Sequence, residues 1–236
     1  DGSIDDEFAA MFGSGPNGLV RDVSLDSSGR LLIGGAFLRV SNLPSTKGFA
    51  RLFEHGAVDR TLIARGRSND ACDIYKIEQM PGDTRIYIAG SVNNYFSGNY
   101  FMRITAEGTR DFNFNPSGIN QRVSDFVIQP DGGVVIAGAF TGSPAYAARY
   151  LPTGALDSSF LPGVTINGTI NSLARQPNGR IVVGGTFTNF GSAANRFARI
   201  NADGSVDQTL NLGAGFGGEV VKVVVGADGR LWVGGS

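Results

Sequence analysis

Cysteine and histidine are almost absent from this chain of 236 residues: each occurs once, as Cys72 and His55. A lone cysteine excludes an internal disulfide and a cysteine-built metal site. A lone histidine excludes multi-histidine metal centres and most histidine-based triads within one chain. An excess of either charge is also missing, since 20 Lys and Arg face 21 Asp and Glu for a net charge of −1. That balance gives nucleic acid or an anionic membrane surface no electrostatic footing. The longest apolar runs are about seven residues, as in 134–140, too short to span a bilayer. No segment shows an apolar 3.6-residue period with caps, so little helix is expected. The 42% of apolar residues nevertheless suffices for a core and excludes a solvated, disordered chain.

What the chain has in abundance is glycine, 35 residues, and the glycines repeat. A strand-like run ending in a small pair recurs as RLLIGGAF, RIYIAGSV, GVVIAGAF, RIVVGGTF and RLWVGGS, with the second glycine at 35, 90, 138, 185 and 235. An independent marker, a turn followed by a carboxylate, recurs as DGSID, HGAVD, EGTRD, TGALD and DGSVD, with the aspartate at 5, 59, 111, 157 and 207. Both keep a period near 50 residues, and such periods mean solenoids, propellers or arrays. Each unit reads as four short strands; in the fourth, the Pro177-Asn178-Gly179 turn joins the first two as a hairpin and Asp203-Gly204 closes the third. Strands are predicted near 20–25, 30–37, 72–77, 85–90, 123–128, 133–140, 170–175, 180–187, 220–225 and 230–234. The fold class expected is all-β: a β-propeller of about five four-stranded blades. The units run roughly 13–62, 63–114, 115–160, 161–210, and 211–236 joined to 1–12, within one repeat domain spanning 1–236. Joining the two ends supplies three of the four strands of the fifth blade. Completion by further repeats of a longer array, or by neighbouring subunits head to tail in a filament, is therefore expected.

The segments ARINADGSVDQTL (198–210), RYLPTGALDSSF (149–160) and LARQPNGRIVVGGTF (173–187) resemble the bacterial delta-60 repeat, a β-propeller repeat. The resemblance covers essentially the whole chain, although the second unit departs from it in the enlarged loop QMPGDT. It implies a secreted or cell-surface bacterial protein and carries over no catalytic residues.

Three sets of residues recur. The paired glycines read as backbone devices that allow a bulge or close approach of neighbouring strands. Arg51, Arg103, Arg149 and Arg199 each precede Asp59, Asp111, Asp157 and Asp207 by eight residues, which suggests a repeated link within each blade; Asp5 opens the series without a preceding arginine. The third set is a polar position on the first, inner strand of each unit, occupied by Asp22, Asp73, Asp125, Ser172 and Lys222. Inner strands line a propeller's central channel. Asp22, Asp73 and Asp125 are thus candidate oxygen ligands for Ca²⁺ or another divalent cation, although a wetted lining is the plainer reading. No other cofactor is expected.

His55 reads as an exposed turn residue and Cys72 as a small buried apolar group. Asn167-Gly168-Thr169 has the form of a glycosylation acceptor. Tyr95, Phe96, Tyr100 and Phe101 could stack on sugar or pack between blades. Fivefold repetition speaks against a catalytic centre, which needs one asymmetric constellation. The expected function is a non-catalytic binding or structural module for a protein or glycan, or for further copies of itself. A lectin-like propeller is the alternative, and a propeller hydrolase or lyase stands behind both.

Overall fold

The computed structural model describes residues 2–41, 43–44, 46, 48–62, 72–92 and 100–236. The chain packs as two compact units, Asp1–Phe114 and Asn115–Ser236, where the sequence suggested one domain; the division falls on a repeat boundary. The first unit opens with helix α1 (Asp6–Phe12), which the sequence reading did not anticipate. Asp5 caps it by accepting the Phe8 N–H at 2.9 Å, and Asp6 and Glu7 sit in its first turn.

Blade 1 consists of β1 (Leu19–Leu25), β2 (Leu31–Ala36), a two-residue hairpin β3 (Arg39–Val40) and β4 (Leu43–Pro44), and β5 (Phe49–Leu52). Blade 2 consists of β6 (Asp73–Gln79), β7 (Ile86–Ser91) and β8 (Phe101–Ile104). In the second unit, blade 3 is β9 (Val123–Ile128), β10 (Val134–Gly138) and β11 (Ala147–Tyr150). Blade 4 is β12 (Ile170–Arg175), β13 (Ile181–Gly185) and β14 (Phe197–Ile200), and blade 5 is β15 (Val220–Val225) with β16 (Leu231–Gly235). All the pairings are antiparallel, with the Gly-Gly strand central in each three-stranded blade.

The expected fourth strand is reduced to a single bridge: Leu52 with Val58, Ile104 with Arg110, Tyr150 with Leu156, and Ile200 with Val206. The recurrent geometry of the following aspartate explains the truncation. Its carboxylate takes the N–H two residues on, as in Thr61 to Asp59 at 2.9 Å and Thr209 to Asp207 at 2.9 Å, which turns the chain out of the sheet.

Each inner strand carries one extra residue opposite the small pair, which is Ala-Gly in β7 and β10 and Gly-Gly elsewhere, a bulge seen as a register shift between Val20 and Asp22, Ile74 and Lys76, Val123 and Asp125, Ile170 and Ser172, and Val220 and Lys222. The second glycine exists to admit that bulge. A Cβ on Gly185 would lie 2.1 Å from the Thr169 carbonyl oxygen.

The cores lie between blades. Leu32 and Phe49 of blade 1 meet Ile74, Ile77 and Ile86 of blade 2, with Leu62 inserted beside them. Val135 and Ala137 meet Ile170 and Leu173 between blades 3 and 4, and Val182 and Phe197 meet Val220 and Val223 between blades 4 and 5. The residue three positions after the turn aspartate enters each of these seams as Leu62, Phe160 or Leu210.

Candidate functional site

The arginine and aspartate of four repeats are brought together. Arg51 Nε lies 2.8 Å from Asp59, Arg103 Nε 2.8 Å from Asp111 and Arg199 Nε 2.6 Å from Asp207, while Arg149 pairs with Asp157 through Nη1. Asp5 instead caps α1. The eight-residue offset works because the arginine's carbonyl also accepts the aspartate's N–H, as in Asp59 to Arg51 at 2.7 Å. A second arginine, five residues before the second glycine, was not singled out from the sequence. Arg30, Arg85 and Arg180 approach the same carboxylates, at 3.0, 3.7 and 3.6 Å from Asp59, Asp111 and Asp207. In blade 3 that place is Gly133, and Arg149 reaches into the space to pair with Asp131. The Thr209 hydroxyl holds the Asp207 carboxyl down at about 2 against the opposing effect of burial, aided by the Thr209 N–H and Arg199.

This depression has a sign. A carboxyl near 3.9 when unfolded and about 2 when folded stabilises the fold above pH 4, and that stability drains away as pH falls toward 2. Thr209→Val is expected to raise the midpoint of acid unfolding, read by circular dichroism against pH.

The inner-strand position requires a correction. The bulged register places Lys76, opposite Ala89, in line with Asp22, opposite Gly34; Asp73 lies three residues earlier, opposite Ser91. The sequence alignment slipped because β6 begins later than 72 and ends at Gln79. Asp73 instead makes a two-point pair with Arg21 of blade 1, at 2.5 and 2.8 Å.

Asp22 and Asp125 serve as latches to the next blade. Asp22 Oδ2 accepts the Ile77 N–H at 2.9 Å, and Asp125 Oδ2 accepts the Leu173 N–H at 2.9 Å and the Ser172 hydroxyl at 3.1 Å. Ser172 Oγ in turn accepts the Val223 N–H at 3.2 Å. Lys222 Nζ lies 3.7 Å from Asp125. The three proposed ligands therefore serve three different protein partners. Among the described residues no group of three or more His, Cys, Asp and Glu side chains is placed to hold a metal ion. Asp125→Ala strands the buried Leu173 N–H, and a loss of about 1–3 kcal/mol is expected. Faster hydrogen exchange at the Leu173 amide would localise it.

A recurrent clamp escaped the sequence reading. Asn17 Oδ1 accepts the Leu38 and Arg39 N–H groups, Asn120 Oδ1 that of Thr141, and Asn167 Oδ1 those of Thr188 and Asn189. The signal was present as a constant offset of 18 residues before Gly35, Gly138 and Gly185. Asn167, the glycosylation candidate, thus holds a loop, and its amide also donates to the Thr188 hydroxyl at 2.9 Å. Phe101 is buried between Tyr87 and Phe114, while Tyr95 and Phe96 lie outside the described residues. Cys72 is buried in the seam between blades 1 and 2, and exposed His55 stacks on Phe53.

Two clefts in the second unit are related by the repeat. One, of about 470 Å³, is lined by residues that include 147–149, 156–158 and 160–166. The other, of about 270 Å³, is lined by 197–199, 206–208, 210–213 and 215, mostly the same places displaced by 50 residues. Each is floored by the third strand of a blade and walled by the segment that follows the turn aspartate.

Residues 129–160 and 176–210 match a family model described as a domain of unknown function (DUF5122) beta-propeller. The chain is also similar to the WD40 beta propeller domain of Doa1, at 14% identity and a TM-score of 0.53, covering 93% of this chain and 77% of that one. The fold is a β-propeller. A chain of the mitotic checkpoint complex is similar at 12% identity and a TM-score of 0.59, over 92% of this chain and 71% of that one. PorZ, described as an essential bacterial surface component of the type-IX secretion system of Porphyromonas gingivalis, is similar at 10% identity and a TM-score of 0.50, over 92% and 31%. No curated protein matches the sequence. At such identities these likenesses establish the propeller fold alone, and fold does not specify activity.

Proposed function

We propose that this propeller is a non-catalytic binding module, secreted or displayed on a bacterial surface, that holds a protein partner in the clefts beside the third strands of its blades. The pair of repeat-related clefts carries the reading. A catalytic centre is singular, whereas a repeated cleft suits a partner engaged at several equivalent points, where multivalency strengthens weak contacts. The larger cleft falls within the size range of ligand pockets. The recurrent carboxylates, the natural candidates for acid–base chemistry, are tied into Arg–Asp links in four repeats. The similarity to a bacterial surface component and to a protein of a multi-subunit complex supports this reading. No helix among the described residues is long and apolar enough to cross a membrane.

A lectin-like role is the second reading. The smaller cleft favours it, because Ser192, Asn195, Gln208 and Asn211 offer hydroxyl and amide groups of the kind that recognise sugars. Peptide and glycan arrays probed with the whole chain separate the two. Ser158→Trp and Gln208→Trp, both at exposed positions, fill one cleft each and are expected to lower the binding stoichiometry. Binding that survives both substitutions together would overturn the cleft reading.

A further inference from the structure

The third strand of a blade bonds its central neighbour through alternate residues and turns the others to the blade's outer edge. In blade 4 the Gly185 N–H donates to the Arg196 carbonyl, which fixes the parity of β14. Ala198 and Ile200 therefore face β13, and Phe197 and Arg199 face outward. In blade 3 the Gly138 N–H donates to the Tyr146 carbonyl, so Ala147 and Arg149 face outward from β11 in the same way. The segment after each strand uses part of this edge. Asp207 donates its N–H to the Arg199 carbonyl at 2.8 Å, and Asp157 donates to that of Arg149 at 2.9 Å. There the chain turns out of the sheet.

Two groups are left over in each blade. Among the described residues the Phe197 carbonyl and the Arg199 N–H have no hydrogen-bond partner, nor have the Ala147 carbonyl and the Arg149 N–H. All four residues line the two clefts. Phe197 and Ala147 are only 3% and 4% exposed, so water reaches their carbonyls poorly, and such groups are costly to leave unpaired.

The leftover groups have the pattern of one kind of ladder. A carbonyl and the N–H two residues on bracket a single residue of a parallel strand, which donates to the first and accepts from the second. An antiparallel strand needs both groups of one residue. No outward residue of β11 offers both, because the Ala145 carbonyl accepts the Ala147 N–H and Asp157 occupies the Arg149 carbonyl. The pattern common to both blades is the parallel one.

We infer that each cleft takes an extended peptide segment of a protein partner, laid parallel to β11 or β14 where the chain's own fourth strand is reduced to a bridge. This rests on the cleft reading above and names what fills the clefts. The bracketed peptide residue lies opposite Ala148 or Ala198, and it is a small one, because an edge so little exposed admits only slim main chain. Leu156 in the larger cleft and Leu212 in the smaller, 41% and 42% exposed, offer seats for a flanking aliphatic side chain.

The probe is the strongest binder from an array of linear peptides, resynthesised with one N-methyl group at each position in turn. Methylation at the bracketed residue is expected to weaken binding at least about tenfold, since it removes the donor and blocks the approach, while the adjacent N–H groups point away from the edge. Amide exchange at Arg149 and Arg199 is expected to slow in the complex, because each N–H gains an acceptor. The double variant Ser158→Trp with Gln208→Trp, its fold checked by circular dichroism, separates this inference from the reading beneath it. Suppose binding is lost in the double variant, but N-methylation is tolerated everywhere or both arginine amides exchange as in the free chain. The clefts then stand and the added strand is overturned. Binding that survives the double variant overturns the clefts and the strand together. A chain that takes glycans and no peptide overturns the strand in favour of the lectin-like role.

Discussion

Removing the Asp111 carboxylate, as in Asp111→Ala, is expected to cost about 3–5 kcal/mol of folding stability, because it leaves a buried guanidinium without its counter-charge. Arg103 is 1% exposed, its Nε sits 2.8 Å from Asp111, and its Nη1 donates to the Tyr87 hydroxyl at 3.3 Å. Its guanidinium lies 4.7 Å from the Phe114 ring centre and 5.7 Å from that of Tyr87. Those aromatic faces offset part of the loss, on the order of 1–2 kcal/mol, but they cannot replace a carboxylate. The equivalent change Asp157→Ala is expected to cost clearly less, because Arg149 keeps Gln129 and Asp131 and is partly open to water. Urea unfolding of the two variants beside the parent measures the difference. Replacing both partners, as in Arg103→Met with Asp111→Leu, should recover much of the loss, since an apolar pair requires no counter-charge. Equal costs for Asp111→Ala and Asp157→Ala would refute the ranking.

Gly185→Ala is the second large effect expected. The new Cβ would fall 2.1 Å from the Thr169 carbonyl oxygen and 3.0 Å from the Ile170 Cα, both backbone atoms that cannot swing aside. Accommodating it means opening the β12–β13 bulge or flattening the strand pair, at a cost of about 3 kcal/mol or more. Gly234→Ala provides the control. With nothing within 4 Å, it should shift the stability of the dilute chain by no more than about 0.5 kcal/mol. Thermal unfolding at low concentration measures both. If the two substitutions cost the same, the glycines are kept for chain flexibility rather than for the bulge.

Much of the fold was legible in the chain itself. The Gly-Gly strands could be placed because each is a short apolar run closed by a hairpin turn, and both signals are local. The Arg–Asp links could be read for the same reason: eight residues separate two groups on adjacent segments of one hairpin, so a constant offset translates directly into a contact. Locality also explains α1 as an exception. DGSID carries the same turn marker as the other repeats, but Asp5 with Asp6 and Glu7 behind it supplies a cap and a charged first turn that start a helix.

What the chain by itself determined was therefore the repeat, its period, the strands and the links within a blade, all set by side-chain alternation and turn chemistry over fewer than a dozen residues. The tertiary structure alone decided what passes from blade to blade. Because β6 runs from Asp73 to Gln79, its latch position falls at Lys76, while Asp73 at its start turns toward Arg21. The inner-strand bulges set Asp22 against the Ile77 N–H and Asp125 against that of Leu173, making clamps of residues whose spacing alone fitted a cation site equally well. The clefts likewise arise from the third strand of one blade and the segment leading to the next. Their walls form only where the segment after the turn aspartate lies back against that strand, an approach in space that no pattern of residue types encodes.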